Sequence, residues 1–224
     1  CRWTNRAAST PGFRPNPDRM VPAPFKIRRC EARDVDPAYE VCLRTGDDGQ
    51  DAAHLFDDPR VLGHIFVGPY LKLEPELAFV LEDDHGVCGY ALGALDSRRF
   101  YDTYLTQWLP EIRRQYPEPG GDPARWTRTQ KVVYEYHHPD IVYPEPYDDY
   151  PSHLHIDILP RAQGRGLGNE MMQILLTALT ARRSPGVHLA MAAANVRAEH
   201  FYKKLGFHEL LRVKDVLYLG KKLP

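Results

Sequence analysis

The clearest pattern along the chain is the alternation in "SHLHIDI" (152–158), where Leu154, Ile156 and Ile158 share one parity and His153, His155 and Asp157 the other. Period two marks a strand whose apolar side meets a core and whose polar side faces a cleft or solvent. Similar apolar runs predict a strand over Phe25 to Cys30 and a hairpin of Leu77 to Leu81 with Val87 to Leu95, turning at Asp83, Asp84 and Gly86. They also predict a strand over "VHLAMAAA" and a closing pair, "FHELLRV" and "VLYLG". Elsewhere the period becomes helical. Met171, Met172, Leu175, Leu176 and Leu179 stripe a helix from Asn169 to about Arg182, and Phe100, Tyr104, Leu105, Trp108 and Leu109 mark another that "PEPGGDP" ends. "VRAEHFYKKL" reads as a short helix stopped by Gly206. Asp36 with Pro37 and Asp58 with Pro59 read as helix starts, each an aspartate cap followed by proline in the first helical position.

Strands and helices so mixed predict an α/β (α+β) domain over residues 25–224, and a length of 224 residues suits one large domain. Residues 1–24 lack periodicity and are rich in proline, arginine and small polar residues. They read as an extended arm or an expression-derived segment, with Met20 a candidate natural start and a homodimer through the arm as the associated expectation. A net charge of -1 argues against a general nucleic-acid binder. Cys1, Cys30, Cys42 and Cys88 lie far apart without a C-x-x-C pair, which suits a reducing cytoplasm better than a zinc site or a disulfide framework. No apolar run approaches the roughly 18 to 20 residues of a membrane span, so a soluble cytoplasmic protein without a membrane partner is expected.

Residues 132–160 hold six carboxylates and five tyrosines but no lysine or arginine. Two readings stand: an exposed acidic loop, or a wall for a cationic or sugar-like substrate in which aromatic rings and carboxylates meet the ligand. Under the second reading Glu135, Tyr147, His153 and His155 are the candidate substrate-binding residues. The H-x-H pair lacks an evident third ligand, so no metal is expected.

Three glycines, Gly164, Gly166 and Gly168, crowd "QGRGLG" between the alternating strand and the striped helix. A triphosphate-binding loop needs a G-K-[ST] ending that is absent, and a dinucleotide fingerprint needs a third glycine where Asn169 stands. What fits is a run of backbone N–H groups at a helix N-terminus that converges on an anion such as a pyrophosphate, with Gln163 and Arg165 as added donors. A simple turn is the bland alternative.

On these residues the chain resembles the GNAT superfamily of acetyl-CoA-dependent N-acetyltransferases. "QGRGLG" is similar to the family's [RQ]-x-x-G-x-[GA] motif through Gln163, Gly166 and Gly168. "NVRAEHFYKKLGF" is similar to its N-x-x-A-x-x-x-Y-x-x-x-G-F motif through Asn195, Ala198, Tyr202, Gly206 and Phe207. The resemblance spans roughly residues 25 to 220, with a longer insertion at about 110–151 than a minimal member has. A closer resemblance, carried by "LAFVLEDDHGVCGYALGALD" and "HLHIDI", is to the acetyltransferase-like C-terminal domain of eukaryotic O-GlcNAcases, whose glycine loop is degenerate where this one is intact.

The resemblance implies a mixed sheet of about six to seven strands flanked by helices, splayed between the fourth and fifth, with acetyl-CoA in the gap. It places Ile158 and Leu159 along the pantetheine arm, with an N–H of one polarising the thioester carbonyl. Gln163, Gly164, Arg165, Gly166, Leu167 and Gly168 fall around the pyrophosphate, with Asn195 on the arm and Lys203 or Lys204 near phosphates. It makes Tyr202 the acid that protonates the departing thiolate. From its place on the polar side of the strand, Asp157 is the first candidate for the base that takes the acceptor's proton. Each assignment has a plain structural counterpart: Tyr202 as a helix packing residue, Asn195 as a cap, Asp157 as a hydrogen-bonding residue. The implied activity is acetyl transfer to a small amine, an amino sugar or lysine. The rival readings are a catalytically silent acetyl-CoA sensor or scaffold and a purely structural interaction domain.

Overall fold

The computed structural model describes residues 25–144 and 147–224, so the expected arm lies outside the described residues. The strands are β1 (Lys26–Arg29), β2 (Ala78–Asp83), β3 (Gly86–Ala94), β4 (Ser152–Ile158), β5 (Gly186–Ala192), β6 (His208–Val213) and β7 (Val216–Lys222). They form a seven-stranded sheet in the order β1-β2-β3-β4-β5-β7-β6, antiparallel except between β4 and β5.

One side of the sheet carries α1 (Val35–Thr45), α2 (Gly63–Phe66), α3 (Gly68–Leu73), α4 (Ser97–Thr103), α5 (Leu109–Gln115) and α6 (Arg128–His137). The other carries α7 (Leu167–Ala181) with α8 (Val196–Lys204) near it. Alternation along each strand feeds two cores. Val80, Tyr90 and Leu92 join the α1 side, while Leu81, Ala91 and Leu154 meet Met171, Met172 and Leu175 of α7. Burying each such side chain contributes roughly 1.5 to 3 kcal/mol.

Three local expectations are corrected. The first helix begins at Val35, so Asp36 and Pro37 lie inside its first turn, where proline costs no hydrogen bond. The residue before it, Asp34, is held by the Arg28 guanidinium at 2.6 and 2.9 Å. Asp58 opens a turn, accepting from Arg60 N–H at 2.8 Å, and helix starts only at Gly63. The acidic window is not a loop at its start: residues 132–137 complete α6, which buries Val133 and Tyr136 and is opened by a reciprocal Thr127–Gln130 capping box. The T-x-x-Q capping signal lies just ahead of the acidic window and is local to the sequence.

Candidate active site

The site is organised by where β4 stops pairing with β5. Their parallel ladder holds only Ser152↔Val187 and His153↔His188, and beyond it the strands part. On its other edge β4 pairs with β3 through to Gly89↔Ile158, and Leu159 N–H continues the ladder to the Cys88 carbonyl at 2.8 Å. In an antiparallel ladder alternate residues point their N–H and C=O at the partner, so His153, His155, Asp157 and Leu159 are spent on β3. Ile156 and Ile158 direct theirs into the gap. This corrects one expectation: Leu159 N–H is occupied, leaving Ile158 N–H as the donor that can reach a carbonyl in the opening.

Beyond Ile158 the chain turns through Gly164 and Gly166, whose φ values of +73° and +81° explain glycine directly. Gly168 is different. A Cβ there would meet Ile158 and Phe201 at ordinary contact distances of 3.4 and 3.5 Å, so the protein leaves room for one and the side chain would project toward the cleft. Among the described residues, the N–H groups of residues 164–169 find no backbone acceptor, because α7 makes its first turn bond from Glu170 to Gly166. A run of free amides at a helix N-terminus suits an anion.

The expected side-chain donors around this loop change roles. Gln163 gives Nε2 to the Ile158 carbonyl at 2.6 Å and takes Arg197 Nη2 on Oε1 at 2.7 Å, so it ties loop to strand and orients Arg197 toward the cleft. Arg165 is exposed over the Phe25 ring, and Leu167 turns its side chain toward the core, so each offers the loop only a backbone amide. Lys204 is exposed and away from the cleft lining, and Lys203 pairs with Glu199 at 2.7 Å. Asn195 caps α8 by accepting Ala198 N–H at 3.0 Å, and its Nδ2 reaches the Asp48 carbonyl at 3.4 Å.

Gln163, the three glycines, Asn195 and Arg197 line a cleft of 740 Å³ that runs from Ile156 and Ile158 past the glycine loop to α8. That is the size range of small-molecule and cofactor sites. Tyr202, 8% exposed, and Asp157 both border it. Burial, with the Asp157 charge adding to it, raises the Tyr202 hydroxyl far above its ordinary value, so it stays protonated. Asp157 accepts the Tyr90 hydroxyl at 2.5 Å, and burial lifts its carboxyl to about 6 against the lowering by that hydrogen bond. It is ionised at neutral pH and close to taking a proton. Thr45 and the turn Asp48–Gly49–Gln50 close the near wall. Nothing in the alternation or the motifs singled them out; "TGDDGQD" carried only a turn signal.

The remaining candidates lie on the α1 side of β4. His155 packs edge-on to Phe66 and Tyr70, and burial lowers its imidazole to about 4. With Glu135 at the rim, it lines a second cavity of 400 Å³. His153, expected to face a cleft or solvent, is 4% exposed and locked. Ser97 spends its proton on the Pro151 carbonyl at 2.8 Å, so His153 Nδ1 donates to Ser97 at 2.7 Å and Nε2 accepts from Tyr70 at 2.8 Å. Tyr147 is 4% exposed, accepts Arg98 N–H at 3.0 Å and stays off the lining of both cavities. The polar side of β4 meets a second protein layer for most of its length.

The family model described as "Acetyltransferase (GNAT) domain" matches residues 133–209. The crystal structure of SsHAT aligns with a TM-score of 0.82 and 41% identity over 88% of this chain and 98% of that one. The chain belongs to the GNAT acetyltransferase family. The "Protein O-GlcNAcase" of Rattus norvegicus is 31% identical over 216 residues, 94% of this chain; the chain spans 23% of that relative's length. The structure of yncA from Salmonella typhimurium with its cofactor acetyl-CoA shares the fold, at a TM-score of 0.51 and 14% identity over 89% of this chain and 94% of that one.

Within this GNAT domain the structure brings Ile158, the glycine loop, Asn195, Tyr202 and Asp157 around one cleft. His155 and Glu135 meet at another. The two cavities abut on consecutive residues of β4, the second ending at Leu154 and His155 and the first beginning at Ile156 and Asp157.

Proposed function

We propose that this GNAT domain binds acetyl-CoA and transfers its acetyl group to a primary amine. The observation that carries the proposal is the parting of β4 from β5 immediately ahead of the free amides of residues 164–169, which joins a strand edge and an anion site in one cleft. These residues fit the group. The amides, with Arg197 beside them, hold a pyrophosphate, and the open edge at Ile156 and Ile158 holds the amide-bearing pantetheine arm. Acetyl-CoA, when bound, supplies an activated acetyl thioester.

The chain's own groups then divide the work. Ile158 N–H, directed into the gap, would stabilise the charge that develops on the thioester oxygen, an effect worth about 3 kcal/mol in comparable sites. The acceptor arrives as ammonium and gives one proton to solvent. Its nitrogen then bonds the acetyl carbon as the C–S bond breaks. Asp157 accepts the proton that the nitrogen sheds on attack, Tyr202 donates one to the departing thiolate, and solvent returns the Asp157 proton to Tyr202. The products are the acetamide and free CoA.

Isothermal titration of the protein with acetyl-CoA, followed by turnover against a panel of amines, tests the reading. Binding with turnover supports it. Binding without turnover makes the domain a silent acetyl-CoA binder, and no binding ends the proposal. With Asp157 as base, kcat/KM corrected for the fraction of free amine bends downward below about pH 6. Asp157→Asn lowers the rate and removes that bend.

A further inference from the structure

The second cavity differs in chemistry from the first. Its walls are rings, Phe66, Tyr70, Tyr101, Tyr104 and Tyr218, and its floor is the point where β4 and β5 begin to part, at Leu154 and Leu189. It is lined by no lysine or arginine, whereas the exposed carboxylates of Glu135 and Asp140 stand at its rim. Its histidines add no positive charge at neutral pH, since burial depresses His153, His155 and His188 alike. Apolar groups make up most of the lining. Tyr70 is bound to His153 and His188 Nδ1 to the Tyr150 carbonyl at 2.6 Å, whereas the Tyr104 and Tyr218 hydroxyls and the His155 ring have no hydrogen-bond partner among the described residues.

We propose that this cavity is the acceptor site and that it selects a primary ammonium carried on a flat apolar body, an arylalkylamine, over an amino sugar. The inference rests on the acetyl-transfer reading for its chemistry but on the cavity's own walls for its selectivity. Carboxylates at the mouth and ring faces inside attract a cation and its apolar body together. A sugar would bury several hydroxyls against this mostly apolar lining, and each one left unpaired is a cost. The cavity reaches β4 one residue from Ile156, so an amine seated in it lies beside the gap where the thioester is proposed to lie.

The test is calorimetric titration of the whole chain with 2-phenylethylamine, 2-phenylethanol, phenylacetate and glucosamine, with and without CoA. We expect 2-phenylethylamine to bind at least about tenfold tighter than glucosamine or 2-phenylethanol, with phenylacetate weakest. Glu135→Gln, at an exposed rim position, should weaken 2-phenylethylamine by roughly 3- to 10-fold, most at low salt, and leave 2-phenylethanol unchanged. Phe66→Ala should weaken both. Glucosamine binding as tightly as the arylalkylamine, or an arylalkylamine indifferent to both substitutions, overturns the proposal. If acetyl-CoA fails to bind while 2-phenylethylamine binds as described, acetyl transfer is lost and the amine site stands. If acetyl-CoA binds and the arylalkylamine does not, the cavity assignment falls alone.

Discussion

The two halves of β4 obey one alternation and meet opposite fates. Near its start, His153 is closed in by Ser97, Tyr70 and the paired edge of β5, and every polar atom of its ring has a fixed partner. Two and four residues on, His155 and Asp157 have the same parity but no β5 beside them, and each retains some surface in a cavity. A polar face on a strand is therefore not a functional face in itself. What makes it one here is the loss of the neighbouring strand, because that frees both backbone groups and space.

The largest expected effect breaks or upholds the open half as a reaction centre. Tyr202→Phe keeps the ring in its core contacts and removes only the hydroxyl. If the hydroxyl protonates the thiolate, kcat falls by roughly 10²- to 10⁴-fold while acetyl-CoA affinity, read by titration, changes little. An unchanged kcat would return Tyr202 to a packing residue of α8.

A smaller effect separates the cleft from the turn that builds it. Gly164 and Gly166 have positive φ, so substituting either strains the backbone by about 1 to 3 kcal/mol and confuses folding with binding. Gly168 has no such constraint, and its Cβ position is open on the protein side. Gly168→Val should therefore retain most of its melting temperature and lose acetyl-CoA affinity by roughly 10- to 100-fold, as an excluded contact at one phosphate would. Full affinity in this variant would place the pyrophosphate elsewhere.

Why some of this was legible in the sequence, and some not, follows from range. The alternation of 152–158, the stripe of α7 and the glycines are local, and period and φ preference expose them directly. The locking of His153 depends on Tyr70, 83 residues away, and the hydrogen bond that holds the buried Asp157 carboxylate comes from Tyr90, 67 away. No local pattern carries such partners. Gln163 and Asn195 show the other limit: their amide groups suit a ligand, and folding uses them for the loop and the helix cap instead. Arg197, which Gln163 orients, was hidden among ordinary helix-surface charges.

The smallest effect concerns protons and has opposite signs on adjacent positions of the open half. His155 is held at about 4, below its unfolded value of about 6.5, so the native state binds fewer protons than the unfolded chain and stability is lost as pH falls from about 6.5 toward 4. Asp157 is held at about 6, above its unfolded value of about 3.9, so the native state binds more protons and stability is gained as pH falls through about 6. Between pH 7 and pH 5 the first term costs roughly 1.5 to 2 kcal/mol and the second returns about 1 kcal/mol. His64, held at about 4, and His153 add losses of the first kind, so the protein as a whole should weaken with acid. Urea unfolding at the two pH values reads the contrast. His155→Gln should shrink the acid loss and Asp157→Asn should enlarge it, whereas equal losses in all three proteins would mean that the open half is as freely solvated as the surface.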